Sequence, residues 1–198
     1  MKKLDKNLII NIILSNVHYG TLAMQSGAGV YQVPLNFAWF DDKLFFHGSK
    51  KGTKMALLRA NNQASFSVVD NYAFIPSYFS AEKGMACPAS QFYQSVLFTG
   101  HIDFVDDYKY KALILNKLMQ KMQSEGRYLD LNDSVYKTVI DVTQILQFIP
   151  ESISLKVKMG QQHSQAKYDR ILAHLEQRNE DLDRKTIALM QRYRGLKL

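Results

Sequence analysis

Phe46-His47-Gly48-Ser49-Lys50-Lys51-Gly52-Thr53-Lys54 is the stretch that decides how this chain is built. The apolar run Lys43-Leu44-Phe45-Phe46-His47 enters it as a strand, and Lys54 to Ala60 leaves it as a helix, stopped by Asn61-Asn62. Within the seven residues 48–54 lie two glycines, two hydroxyls and three lysines. A strand end that leads through Gly-rich backbone into a helix offers free N–H donors and the positive end of a helix dipole. Lysines at the same place add point charges suited to a phosphate. The competing reading is a basic surface turn. The spacing is not that of a nucleotide-triphosphate loop, so the anion expected is a monophosphate or a similar group.

On either side of this stretch the pattern is that of short strands. Upstream, Thr21-Leu22-Ala23-Met24 reads as a strand, Ser26-Gly27-Ala28-Gly29 as a tight turn, and Val30 to Phe40 as a second strand before a turn at Asp41-Asp42. Asp5 caps a short helix with Leu8, Ile9, Ile12 and Ile13 on one face. Downstream, Ala64 to Asp70 and Tyr93 to Val105 read as strands, the second with Val96, Phe98, Ile102 and Phe104 on even positions and Gly100 as a bulge or a close approach. Asp107 to Met122 reads as a helix packed through Leu113, Leu115, Leu118 and Met122, and residues 124–132 as a loop. Residues 134–147 are ambiguous between helix and strand. Ile153, Leu155 and Val157 alternate with polar residues as a strand does, and from Ala166 the pattern is helical. The expected architecture is α+β, a split β-barrel of six antiparallel strands with flanking helices and a helical C-terminal tail. Residues 1–160 are read as the barrel domain and 161–198 as an extension packed on it or on a dimer partner.

Composition excludes other classes. The 198 residues are 46% hydrophobic and 22% charged, the balance of one globular domain. A lone cysteine, Cys87, forms no internal disulfide and points to a reducing cytoplasm. The apolar stretch from Leu8 to Leu14 is far short of the ~20 residues of a spanning helix, so no membrane association is expected. Of the net charge of +7, most lies in residues 156–198, where 10 Lys/Arg face 5 Asp/Glu. The signs are interspersed there, which reads as a solvated helical face and disfavours nucleic acid. The five histidines have no metal-ligand spacing, and no catalytic motif of the common enzyme classes is present.

The ordered set Tyr19-Gly20-Thr21-Leu22-Ala23, residues 31–37, Leu44-Phe45-Phe46-His47-Gly48, Gly52-Thr53-Lys54, residues 65–69, Tyr93-Gln94-Ser95-Val96 and Gly100 resembles the FMN-binding split barrels related to pyridoxamine 5'-phosphate oxidase. The resemblance is specifically to the branch that includes the nitroimidazole-resistance proteins, and it spans residues 16–106. A weaker one covers residues 154–162, where Lys156-Val157-Lys158-Met159-Gly160-Gln161 is similar to the closing strand of FMN-binding proteins, some of them regulators.

The resemblance implies FMN in a groove at a homodimer interface. Gln32, Val33, Pro34, Leu35 and Asn36 would run their backbone beside the flavin ring, with Val33, Leu35 and Phe37 also serving the core. Lys54 falls on a basic phosphate-binding position of the oxidases. The neighbouring basic position is Met55 here, which leaves Lys50, Lys51, Ser49 or Thr53 to supply the second phosphate contact, with Gly48 counted among the cofactor-binding residues. Gln94 and Ser95 fall where the family places a polar contact to the flavin. His47 matches a histidine of the nitroimidazole-resistance branch, either orienting the flavin or donating a proton to substrate. Trp39 and the aromatic run from Tyr72 to Phe79 would wall a substrate pocket or fill the core.

The function implied is an FMN-dependent oxidoreductase acting on a small planar substrate, with a nicotinamide or another molecule as electron donor. Pyridoxamine 5'-phosphate oxidation itself is disfavoured, since no Trp follows Trp39. Two alternatives stand beside it. One is a flavin-binding regulatory or nucleic-acid-binding protein without turnover; the other is a haem-handling split barrel using His163 or His174.

Overall fold

The computed structural model describes residues 5–27, 29–81 and 84–195. Ala28, within the first expected turn, lies outside the described residues. The chain divides into two compact units, one of Asn11–Val68 and Val96–Ser154, the other of Met1–Ile10, Val69–Ser95 and Leu155–Leu198.

The first unit carries the body of a seven-stranded sheet. Its strands are β1 (Tyr19–Ser26), β2 (Gly29–Asn36), β3 (Ala38–Phe40), β4 (Lys43–Ser49), β5 (Gln63–Ile75), β6 (Ser90–Val105) and β7 (Thr143–Lys158), in the order β2-β1-β5-β6-β7-β4-β3. β5, β6 and β7 continue into the second unit. Six strands were expected. The seventh arises because the run from Val30 to Phe40 is split at Phe37: Asn36 pairs with Tyr19 of β1, whereas Ala38 pairs with Phe45 of β4. The sheet is open, with β2 and β3 at its ends. Asp41 and Asp42, both at φ 53°, close the β3–β4 hairpin, the left-handed pair that a tight two-residue turn requires.

β4 is buried on both faces, with Leu44, Phe45 and Phe46 all fully buried. Phe45 joins Ala38, Val105, Ile145, Ile114 and Leu118 beneath α4 (Tyr108–Met122). On the other face the rings of Phe46 and Phe37 lie 4.8 and 5.3 Å from that of Phe66. Burying a side chain of this size contributes about 1.5–3 kcal/mol, so this aromatic cluster anchors the strand that precedes the glycine-rich turn. α2 (Thr53–Ala60) follows that turn and is held by Met55 and Leu58.

α4 buries only part of the expected stripe, Leu118 in the core and Leu115 packed against it. Ala112, Ile114 and Leu118 face inward together with Lys111 and Asn116, while Leu113 and Met122 are exposed. In α1 (Lys6–Asn16) the buried set is Ile9, Ile10, Ile13 and Leu14, and Leu8 is exposed; Asp5 caps it, its Oδ1 accepting from the Asn7 N–H at 2.9 Å. The ambiguous residues 134–147 resolve into a short 3-10 turn at Ser134–Tyr136, the helix α5 (Lys137–Val142) and the start of β7. Gly100 is a close-approach site: a Cβ there would collide with the Ile149 carbonyl oxygen.

In the second unit, α6 (Gln165–Arg178) and α7 (Asp181–Tyr193) bury Tyr168, Ile171, Leu175, Met190 and Tyr193. The short helix α3 (Ser77–Ser80) adds Phe79. Asn179, left-handed at φ 56°, ends α6, and the Arg178 guanidinium pairs with the fully buried Asp183 carboxylate at 2.8 Å. This pair holds the Asp183 pKa below the ordinary carboxylate range.

Candidate functional site

The glycine-rich stretch takes the form its composition dictates. β4 runs through His47 and Gly48 to Ser49, paired with Gln144 and its neighbours on β7, and the chain then bends over Lys50, Lys51 and Gly52 into α2. Gly52 sits at φ 107°, a left-handed backbone that an L side chain strains to adopt. As the N-cap it brings no side chain to the first turn, so the leading N–H groups of α2 are not capped from within. The Ser49 hydroxyl accepts from the Lys51 N–H at 3.2 Å and ties the bend.

Lys54, in the first turn of α2, folds its side chain back over the strand end. Its ammonium lies 3.0 Å from where a Cβ on Gly48 would stand, so it packs closely over the bare glycine. Lys54 is half-buried, and among the described residues no carboxylate lies within ion-pair distance of it. Burial pushes its pKa below the ordinary lysine value. The adjacent His47 is shifted down by desolvation first and by the Lys54 cation second, so its imidazole is neutral at neutral pH. An uncompensated, partly desolvated ammonium beside free helix amides is a ready place for a phosphate dianion. Lys50, Lys51, Ser49 and Thr53 are exposed around it.

β2 is an edge strand with β1 on one side only. Val33 and Leu35 are half-buried, whereas Gln32, Pro34 and Asn36 are exposed. Pro34 fits an edge, where its missing N–H breaks no ladder. The outer edge of this strand has no strand partner among the described residues, which leaves its backbone groups free to bind. Phe37 is fully buried core.

Gln94 and Ser95 belong to the second unit. Gln94 is buried, its amide donating to the Tyr193 hydroxyl at 2.6 Å, with the Tyr72 hydroxyl 3.5 Å from its Oε1. Tyr72 in turn donates to Asp70 at 2.7 Å. These contacts occupy the Gln94 side chain within its own unit. Ser95 is half-buried. Trp39 donates from its indole to the Asn11 side chain at 2.9 Å and lines a cavity of about 380 Å³ with Phe40 and Lys121. Of the aromatic run, Tyr72 and Phe79 are core, while Phe74 and Tyr78 are exposed.

Two lysines escape a reading by sequence. The Lys121 ammonium sits 3.4 Å from the centre of the Phe37 ring and donates to the Phe37 carbonyl at 3.1 Å; burial pushes its pKa down to about 8. Lys111 is buried on α4, and its pKa is lowered by that burial and by Lys50. Both stand in a helix whose pattern places lysines outward, so no local signal marks them. His174 is stacked on Phe79 at 4.5 Å, and His163 lines a separate cavity. No group of histidine, cysteine and acidic side chains able to hold a metal occurs among the described residues. No helix among the described residues is long and apolar enough to cross a membrane.

Comparison with known proteins gives a consistent picture. The family model described as pyridoxamine 5'-phosphate oxidase matches residues 10–157. No curated protein matches. Among solved structures, a candidate 5-nitroimidazole antibiotic resistance protein from Bacteroides thetaiotaomicron is 16% identical, with 77% of this chain and 84% of that one covered at a TM-score of 0.63. The FAD and heme binding protein from Mycobacterium smegmatis is 18% identical, with 87% and 80% covered at 0.65. The flavocytochrome Anf3 from Azotobacter vinelandii is 16% identical, with 83% and 73% covered at 0.64. At these identities the structures share the fold.

Proposed function

Because the chain belongs to the pyridoxamine 5'-phosphate oxidase family, we propose that it is an FMN-dependent oxidoreductase whose phosphate site is the junction of β4 and α2. The observation that carries this reading is the Lys54 ammonium, half-buried over Gly48 without a carboxylate partner among the described residues. A phosphate supplies the missing counter-charge, and the first-turn N–H groups of α2 supply donors around it. The names of the structural neighbours, two of which specify a flavin or FAD protein, agree with a flavin as the ligand.

When bound, FMN supplies the redox chemistry, and the protein supplies position and electrostatics. The free edge of β2 from Gln32 to Asn36 offers backbone donors and acceptors to the ring. His47, neutral at neutral pH, donates one N–H and holds the ring against the strand end; this orienting role is preferred over proton donation to substrate. Two chains related by a two-fold axis would complete two equivalent sites. The substrate is a small planar molecule of the nitroaromatic kind, and the electron donor a nicotinamide. A cytoplasmic setting fits the single exposed cysteine, Cys87.

Anaerobic mixing of the FMN-loaded protein with a reduced nicotinamide tests the reading. Loss of the flavin band, followed by its return on adding a nitroaromatic, is expected. A bound flavin inert to both reagents would reduce the protein to a flavin-binding module.

A further inference from the structure

Phe37 joins neither of the ladders that flank it. β2 ends at Asn36, paired with Tyr19, and β3 begins at Ala38, paired with Phe45. The residue is fully buried, so its carbonyl, left out of both ladders, needs a donor from elsewhere in the fold. The last turn of α4 supplies one. The Lys121 ammonium donates to the Phe37 carbonyl at 3.1 Å and lies 3.4 Å from the centre of the Phe37 ring. One cation thus holds both the backbone and the side chain of that residue. Next to it, the Asn36 side-chain amide donates to the His18 carbonyl at 3.1 Å and reaches the Met122 sulfur at 3.9 Å. Two consecutive residues of α4 therefore grip the two residues at which the chain leaves β2.

A lysine is a costly choice for this place. Lys121 is half-buried, and among the described residues no carboxylate lies within ion-pair distance of it. Methionine would cover the Phe37 ring without desolvating an ammonium. What the lysine adds is a charged donor at a fixed point over the break in the sheet. The helix that carries it is fixed further back: Ile114 and Leu118 pack with Phe45 of β4, two residues before His47. α4 therefore runs from the strand that enters the Lys54 junction to the residue at which the β2 edge ends.

We propose that Lys121 is a positioning residue for the flavin ring. By holding Phe37 through its carbonyl and its ring, it fixes the end of the β2 edge relative to the β4–α2 junction. It thereby sets where a flavin anchored at Lys54 lays its ring. This rests on the FMN reading of the site, and Lys121 acts on the strand, not on the cofactor.

The test uses the full-length protein, with FMN affinity from fluorescence titration and the visible circular dichroism of the flavin at saturating FMN. The first reports binding, and the second reports how the ring is held. In Lys121→Met, confirmed folded by far-ultraviolet circular dichroism, the Kd should rise about tenfold and the visible signal at saturation should fall. Lys121→Arg, which keeps charge and donor, should retain both. Lys54→Ala should raise the Kd yet show the wild-type signal at saturation, because it loosens the phosphate and not the strand. Should Lys121→Met not fold, Lys121→Gln, one bond too short to reach the Phe37 carbonyl, is expected to behave as Lys121→Met would. A folded Lys121→Met or Lys121→Gln chain with wild-type affinity and signal would overturn the proposal and leave the FMN reading standing. So would a raised Kd with the wild-type signal at saturation, or a Lys121→Arg chain as impaired as Lys121→Met. A wild-type chain that binds no FMN would overturn the FMN reading itself, and this proposal with it.

Discussion

Replacing Lys54 by alanine separates two effects that the structure places in opposition. In the free protein the ammonium is partly desolvated and lacks a carboxylate partner among the described residues, so its removal should leave the melting temperature unchanged or slightly raised. In the FMN-loaded protein the same change removes a charge-assisted contact of roughly 1.5–3 kcal/mol, a loss of about one to two decades in affinity. By ligand linkage, FMN at 100 times the wild-type Kd stabilises by about 2.7 kcal/mol; at the same concentration the variant keeps only about 0.4–1.4 kcal/mol. The pH profile carries a second signature. Because the Lys54 pKa lies below the ordinary lysine value, the cation and the phosphate contact are lost as pH rises through that lowered value, so FMN affinity should begin to fall before about 10.4. The variant should lack this alkaline limb. Quenching of FMN fluorescence gives the affinities, and thermal melts with and without FMN give the linkage. Lys50→Ala and Lys51→Ala, at exposed positions, should show smaller losses. A folded Lys54→Ala chain that binds FMN as tightly as wild type would refute the reasoning.

Three further outcomes follow from the geometry. His47→Ala should raise the Kd for FMN while turnover at saturating FMN recovers; a rate that stays ~10²–10⁴-fold low with a changed pH profile would make it a proton donor instead. Gly100→Ala forces a Cβ against the Ile149 carbonyl and should destabilise the chain by about 3 kcal/mol or more in urea unfolding, whereas a neutral result would contradict the close approach. Arg178→Ala strands the buried Asp183 carboxylate and should cost about 3–5 kcal/mol. Asp183 has a lowered folded pKa, so in the wild type its contribution is present above pH about 3.9 and is lost as pH falls through the folded value; the variant should lose this acid limb in melts against pH.

How much of this could be read beforehand depended on how local the cause was. The turn at Asp41-Asp42, the helix after Gly52 and the close approach at Gly100 are each written in a few adjacent residues, and each stands where the pattern put it. The break at Phe37 was not legible, because the chain there exchanges a β1 partner for a β4 partner and no neighbouring residue records that exchange. The inward stripe of α4 was half legible: Leu115 and Leu118 pack on the cluster of Phe45 and Ile145 as expected, while Ile114 is buried where Leu113 and Met122 were expected. Gln94 falls on the same buried face of β6 as Val96 and Phe98, a warning that it is core; its partner Tyr193 is 99 residues away, beyond any local pattern. The basic tail reads as a solvated face because its signs alternate, and Lys156, Lys158, Arg184, Lys185 and Arg192 are indeed exposed. The Lys54 site was legible as glycine, hydroxyl and lysine in one short stretch; the absence of a counter-charge among the described residues was not.

The central claim is that the β4–α2 junction holds a flavin phosphate, and the most direct measurement is the visible spectrum of the purified full-length protein, before and after dialysis against FMN. The account predicts bands near ~370 and ~450 nm, which belong to the cofactor itself, at about one FMN per chain and much reduced in Lys54→Ala. A protein that stays colourless after dialysis against FMN, or that shows a haem Soret band in place of the flavin bands, would contradict it.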